Sequence, residues 1–145
     1  MFQVQTDRVL RDTRRQTSAA ISGGGIAVIP IYGVITQRGN MVDDVSGPGM
    51  VSTQIITQML RQAVADDAVS QILLDIDSPG GSVYGVSELS DVILSARAQK
   101  PVVAIANSLA ASAAYWVGSQ ASEFYVTAGG EVGSIGVWQA HQDYS

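Results

Sequence analysis

The chain of 145 residues contains no cysteine, a single histidine and a single lysine. Without cysteine there is no disulfide framework and no cysteine nucleophile. One histidine leaves too few ligands for a typical zinc site, so we expect no metal and no cofactor. No apolar run reaches the roughly 18 residues of a membrane span, and the first residues lack the apolar segment of a signal peptide. We therefore expect a cytoplasmic protein.

Charged residues are also scarce, at 14% of the chain, and the net charge is −5. An acidic balance argues against a nucleic-acid partner. The scarcity of charge is typical either of a surface covered by partner subunits or of a small domain rich in alanine and glycine. Apolar residues make up 46%, which is the composition of a globular domain with a real core.

Residues 1–24 are polar and lead into S-G-G-G at 22–25, which predicts a flexible extension before a domain of residues 25–145. Helices are predicted near Ser52 or Thr53, near Val86 and near Ser112. Pro30 predicts a bend or a sheet edge within the first strand. The predicted strands cover 26–35, 71–77, 101–106, 123–127 and 134–138. Alternating strands and helices favour an α/β fold with a mostly parallel sheet.

The segment D-S-P-G-G, residues 77–81, follows the second predicted strand and reads as a turn. Two consecutive glycines allow a sharp backbone path that exposes N–H groups, which can hold an oxyanion. The alternative interpretation of the same residues is an ordinary turn.

Ser112 lies at a predicted transition from strand to helix, after N-S-L-A-A and before A-A-Y-W. The small neighbours would let a substrate backbone approach a serine nucleophile. The alternative is that Ser112 only caps the helix. The surrounding residues do not form the G-x-S-x-G motif of the α/β-hydrolases.

Taken together, the segments I-A-V-I-P-I-Y-G-V-I, L-L-D-I-D-S-P-G-G, A-A-S-A-A-Y-W and G-S-I-G-V resemble the signal-peptide peptidase A family of serine peptidases. They are most similar to its phage and prophage branch of capsid maturation proteases. The resemblance covers about residue 26 to residue 145. It implies a Clp-protease/crotonase-like fold of repeated ββα units and a Ser–Lys dyad.

The resemblance also implies roles for individual residues. Ser112 matches the nucleophile, and the N–H groups of Gly81 and Ala113 match the oxyanion hole. A second set matches positions that contact substrate: Gly80, Ser82 and Ser134.

The general base is the missing part of this constellation. The family's lysine follows its G-S-I-G motif by some tens of residues, whereas the only lysine here, Lys100, precedes Ser112 and matches no catalytic position. His141 is the alternative base, with Asp143 available to orient it. We expect that the sequence stops before the lysine.

The leading interpretation is a homo-oligomeric serine endopeptidase of the host cytoplasm or phage prohead, which cleaves capsid, scaffold or portal protein or itself. One alternative is an inactive assembly module with a protease-derived fold. Another is an acyl-CoA enzyme, which the few basic residues disfavour. Asp75 and Asp77 share one side of a strand and suggest a weak alternative site for a metal.

Overall fold

The computed structural model describes residues 24–38 and 49–142. Nine elements follow one another along these residues: β1 Gly25–Thr36, β2 Met50–Ser52, α1 Thr53–Ala65, β3 Val69–Gly81, α2 Val86–Arg97, β4 Val102–Ala111, α3 Ala113–Ser119, β5 Glu123–Val126 and β6 Glu131–Gly133. The predicted extension of residues 1–24 lies almost wholly outside the described residues, so its boundary stays a prediction.

Six of these elements form one sheet. Five strands follow the order β2-β1-β3-β4-β5, and β6 pairs with the C-terminal end of β4. Every strand pair in the described part of the chain is parallel. The predicted α/β fold with a mostly parallel sheet is therefore confirmed. The carboxyl ends of β1, β3 and β4 consequently meet at one edge of the sheet, where sites form in folds of this class.

The core lies between one face of this sheet and the three helices. Alternate residues of β3 point into it, and Ile72, Leu74 and Ile76 are fully buried. They pack in one cluster with buried residues of the helices, such as Leu60 and Ile93. The intervening strand positions face the other way, because side chains alternate along a strand. None of the helices in the described ranges has the length and apolarity required to cross a membrane.

Local sequence signals explain where the first helix begins and where β1 lies. Ser52 is the N-cap of α1, and its hydroxyl accepts a hydrogen bond from the Gln54 N–H at 3.2 Å. Pro30 pairs only with Asp75 of β3, since β2 reaches β1 only at 34–36. The prediction of a sheet edge at Pro30 is thus confirmed among the described residues.

Three predictions about the ends of strands were wrong. The segment S-P-G-G is not a turn, because residues 78–81 continue β3 and pair with Val34 and Ile35. Likewise, residues 107–111 continue β4. The predicted strand at 134–138 is absent, and the short strand Glu131–Gly133 precedes it. In the first two cases strand pairing with a distant segment decided the conformation.

Candidate active site

Ser112 forms the corner between β4 and α3, with φ 53° and ψ −121°. A positive φ is unusual for a residue with a side chain, and such a conformation costs about 1–3 kcal/mol. The surrounding structure holds it: the Ser112 N–H donates to the Gly133 carbonyl of β6 at 2.8 Å, and its carbonyl accepts from Trp116 N–H at 3.0 Å. Strained residues of this kind cluster at functional sites. The strand-to-helix position predicted for Ser112 is confirmed.

Gly80 lies directly against this corner. A Cβ atom placed on Gly80 would be 2.6 Å from the Ala111 carbonyl oxygen, 2.7 Å from Ser112 Cβ and 2.9 Å from the Ala113 nitrogen. Its φ of +92° is also one that residues with side chains rarely adopt. Only glycine therefore lets the end of β3 approach the serine this closely.

Gly81, one residue further on, turns toward β1. A Cβ atom on Gly81 would be 2.2 Å from the Ile35 carbonyl oxygen, and the same oxygen accepts from the Ser82 N–H at 2.9 Å. Residues 80–82 therefore form a backbone segment that runs between β1 and the Ser112 corner. This segment contains three of the residues predicted for the site.

Ala113 is the first residue of α3, so its N–H has no acceptor within the helix. The residue is buried, at 3% exposure, next to the backbone of Gly80. The structure thus brings Gly80, Ser112 and Ala113 together, with Gly81 and Ser82 adjoining them.

Ser134 lies on the opposite side of Ser112, one residue after the Gly133 carbonyl that holds the Ser112 N–H. Its φ is 53°, and its side chain is exposed. Ser134 therefore borders the corner and is open to a ligand.

The hydroxyl of Ser112 has no hydrogen-bonding partner among the described residues. Lys100 precedes the N-terminal end of β4, whereas Ser112 follows its C-terminal end. The ten residues of this strand separate the two by about 30 Å. There its Nζ donates to the Ala63 and Asp66 carbonyls at 3.0 and 2.6 Å, beside the C-terminus of α1. Lys100 is a structural residue of that helix end.

His141 follows β6 in an exposed segment that has neither helix nor strand. The structure places no contact between it and Ser112. Asp143, predicted to orient it, lies outside the described residues. The assignment of His141 as base stays a prediction.

Asp75 and Asp77 are part of a different arrangement on the outer face of the sheet. The Asp75 carboxylate accepts hydrogen bonds from the Tyr32 hydroxyl and the Asn107 amide, which link β1, β3 and β4. The hydrogen bond to Asp75, followed by partial burial and the Asp75 charge, raises the pKa of Tyr32 to about 12. No cluster of possible metal ligands occurs within residues 24–38 and 49–142.

Sequence reasoning missed Ser78. It is fully buried, and its hydroxyl donates to the Gly33 carbonyl at 2.6 Å and accepts from the Gly80 N–H at 3.1 Å. A signal was available, because Ser78 occupies the inward-facing position that continues the buried series Ile72, Leu74 and Ile76. Because S-P-G-G was interpreted as a turn, the alternation of buried and exposed residues was not followed beyond Ile76.

Two solved structures share this fold. A lysine-to-alanine variant of 1510-N membrane-bound stomatin-specific protease, in complex with a substrate peptide, matches with a TM-score of 0.57 and 16% identity, over 79% of this chain and 47% of that one. A serine-to-alanine variant of the same protease matches with a TM-score of 0.56 and 14% identity, over 86% of this chain and 54% of that one.

Two phage proteins are similar in sequence over nearly the whole chain. Head-tail preconnector protein GP5 of Enterobacteria phage P21 is 38% identical over 97% of this chain and 28% of its own length. Capsid assembly protease C of Escherichia phage lambda is 40% identical over 92% of this chain and 30% of its own length. The chain thus spans less than a third of either relative.

Residues 95–145, which include the Ser112 corner and Ser134, match the model of peptidase family S49. The similarity to both phage proteins covers more of the chain than this match does. On these grounds the chain contains a domain of peptidase family S49, matched over residues 95–145.

Proposed function

We propose that this chain is the catalytic region of a serine endopeptidase in which Ser112 is the nucleophile. The observation that carries the proposal is the strained corner at Ser112, packed against the backbone of Gly80. The contacts of this corner hold the serine at the carboxyl end of β4, where a substrate can reach it. Family membership supplies the reaction class, which is peptide-bond hydrolysis.

In this mechanism the Ser112 Oγ attacks the scissile carbonyl carbon and its proton passes to a general base. The carbonyl oxygen becomes an oxyanion, which the N–H groups of Gly81 and Ala113 stabilise. One such donor contributes a factor of about 10² to 10³ in rate. Collapse of the tetrahedral intermediate expels the amine, which takes up a proton, and leaves an acyl-enzyme. Water then hydrolyses the ester and restores Ser112.

The general base has two candidates. The family resemblance implies a neutral lysine that lies outside these 145 residues, and His141 is the candidate within them. Lys100 is neither, because it is bound to the end of α1. An exogenous amine can replace a missing lysine, so the two candidates can be separated by experiment.

The proposed substrate is an extended polypeptide that lies along Gly80, Gly81 and Ser82, with Ser134 on the other side. A backbone free of side chains at both glycines leaves room for strand pairing with the substrate. The similarity to a capsid assembly protease and a head-tail preconnector protein supports a phage capsid, scaffold or portal protein, or the enzyme itself, as substrate. The prohead within the host cytoplasm is the matching location.

We also propose that the active assembly is a homo-oligomer. Parallel sheets are normally covered on both faces, yet the outer face of this sheet exposes about half of Ile26, Val28 and Tyr125. A neighbouring subunit would cover these residues.

The test is intact-mass analysis after treatment with a fluorophosphonate probe, with and without an added alkylamine. We expect one adduct in the wild-type chain, none in Ser112→Ala, and an unchanged adduct in the matched control Ser95→Ala, at an exposed serine of α2. Acceleration by the amine supports an amine base, as the lysine candidate requires. A rate that the amine does not change, and that falls in His141→Gln, identifies His141 instead.

An assembly module without catalytic activity is the competing proposal. It would be supported if the wild-type chain formed no adduct even with the amine. An adduct that persisted in Ser112→Ala would contradict the assignment of the nucleophile.

A further inference from the structure

We infer that Ser78 is a positioning residue, whose hydroxyl fixes Gly80 and the adjoining Gly80–Gly81 peptide against the Ser112 corner. The inference rests on the proposed function for its catalytic consequence. Its structural content, the hold on Gly80, does not depend on that function. Nothing in the reaction itself uses the Ser78 hydroxyl, which makes no contact with the nucleophile.

The first step is the irregularity that Ser78 bridges. From Ile26 and Gln71 to Tyr32 and Asp77, β1 and β3 pair in regular register, and pairing resumes at Val34 and Gly80. Residues 78 and 79 have no regular partner in β1, and Pro79 has no N–H to donate to a ladder. The two strands would therefore be unconnected just before the glycines.

The Ser78 hydroxyl supplies the missing connection. It donates to the Gly33 carbonyl of β1 at 2.6 Å and accepts from the Gly80 N–H at 3.1 Å. Ser78 itself is fully buried, so water cannot take over either hydrogen bond. The hydroxyl therefore ties the Gly80 nitrogen to β1 at the point where regular pairing of the two strands resumes.

The second step leads from Gly80 to the candidate catalytic residues. Ser78 pairs with Ala110 of β4, two residues before Ser112. The α-carbon of Gly80 is packed against the Ser112 Cβ and the Ala113 nitrogen. The peptide that follows Gly80 carries the Gly81 N–H, one of the two proposed oxyanion donors. When the Gly80 nitrogen moves, that donor rotates away from the oxyanion.

The test combines amide hydrogen exchange, measured by ¹⁵N NMR, with the rate of fluorophosphonate labelling. In Ser78→Ala we expect Gly80 N–H exchange to rise about tenfold or more, since a buried hydrogen bond is lost. Resonances of Ser112 and Ala113 should shift. Labelling should fall at least about tenfold, which is less than the factor of about 10² to 10³ for a donor that is removed, because here the donor is only displaced. Ser78→Cys has a thiol of similar size that is a weaker donor and acceptor. Its Gly80 exchange and labelling rates should therefore lie between those of the wild type and Ser78→Ala.

Ser90→Ala is the matched control. Ser90 is a buried serine of α2 whose hydroxyl has no partner among the described residues, so its removal should leave both readouts unchanged. The Leu60 amide of α1 reports global unfolding. Faster exchange at Gly80 with unchanged exchange at Leu60 separates a local effect from loss of the fold.

Unchanged protection of the Gly80 N–H in Ser78→Ala would overturn the inference. So would loss of that protection with unchanged Ser112 and Ala113 resonances. If the wild-type chain is not labelled under any condition, the peptidase proposal fails. The NMR measurement then still decides whether Ser78 holds Gly80 against the Ser112 corner.

Discussion

Gly80 and Ser112 come from the ends of two neighbouring strands and touch through their backbones, so that a Cβ on Gly80 would lie 2.7 Å from the Ser112 Cβ. The atoms that such a methyl group would meet on either side belong to the backbone of Ala111 and Ala113 and cannot rotate away. The contact therefore couples the β3 terminus to the conformation of the candidate nucleophile.

Replacement of Gly80 by alanine should damage both stability and reactivity. The steric conflict and the positive φ together should lower the free energy of unfolding by at least about 2 kcal/mol. Labelling of Ser112 should fall more than about tenfold, because the corner must move. Urea denaturation and the fluorophosphonate assay measure the two effects.

Gly129→Ala is the control for that experiment, since a Cβ there has no neighbour within 4 Å. It should change the stability by less than about 0.5 kcal/mol. Wild-type stability and labelling in Gly80→Ala would show that the contact between β3 and the corner is dispensable.

Replacement of Lys100 should affect stability alone. Lys100→Met removes a cation and two hydrogen bonds from the C-terminus of α1, at a cost of about 1–2 kcal/mol in the free energy of unfolding. Lys100→Arg, which keeps the charge, should recover part of that loss. The rate of Ser112 labelling under native conditions should be unchanged, and a selective loss of labelling in Lys100→Met would return Lys100 to the list of candidate bases.

Tyr32 should ionise late in an alkaline titration. Its hydroxyl donates to Asp75, and this raises its pKa from 10.0 to about 12. The folded state favours the neutral phenol of Tyr32. The stability that this hydrogen-bonded phenol contributes is therefore complete below pH 10 and is lost as the pH rises through about 12. Because Tyr32 is half exposed, solvent screening keeps that contribution small.

Phenolate absorbance followed from pH 9 to 13 provides the measurement, at values chosen to bracket the pKa of about 12. The Tyr32→Phe difference spectrum should isolate the late ionisation. Asp75→Asn removes the charge but keeps the shape of the side chain, and should shift that ionisation toward lower pH. An identical titration curve in Asp75→Asn would contradict the assigned cause.

Local patterns in the sequence were sufficient for the elements whose conformation depends on near neighbours. A nearly all-apolar, β-branched run located β1, and period-3.6 apolar patterns located α1 and α2. Ser52 or Thr53 marked a helix start, and the small residues around Ser112 marked a strand-to-helix corner. These signals work because side-chain burial on one face and capping are decided within a few residues.

Only the tertiary structure decided what happens at the ends of β3 and β4. Residues 78–81 and 107–111 have turn-forming compositions, but pairing with β1, β3 and β6 draws them into the sheet. The same pairing buries Ser78, closes Gly80 onto Ser112, and separates Lys100 from the site by the length of β4. The sequence by itself thus determined the residue types available at the site, whereas long-range backbone pairing, which no local pattern encodes, determined which of them meet.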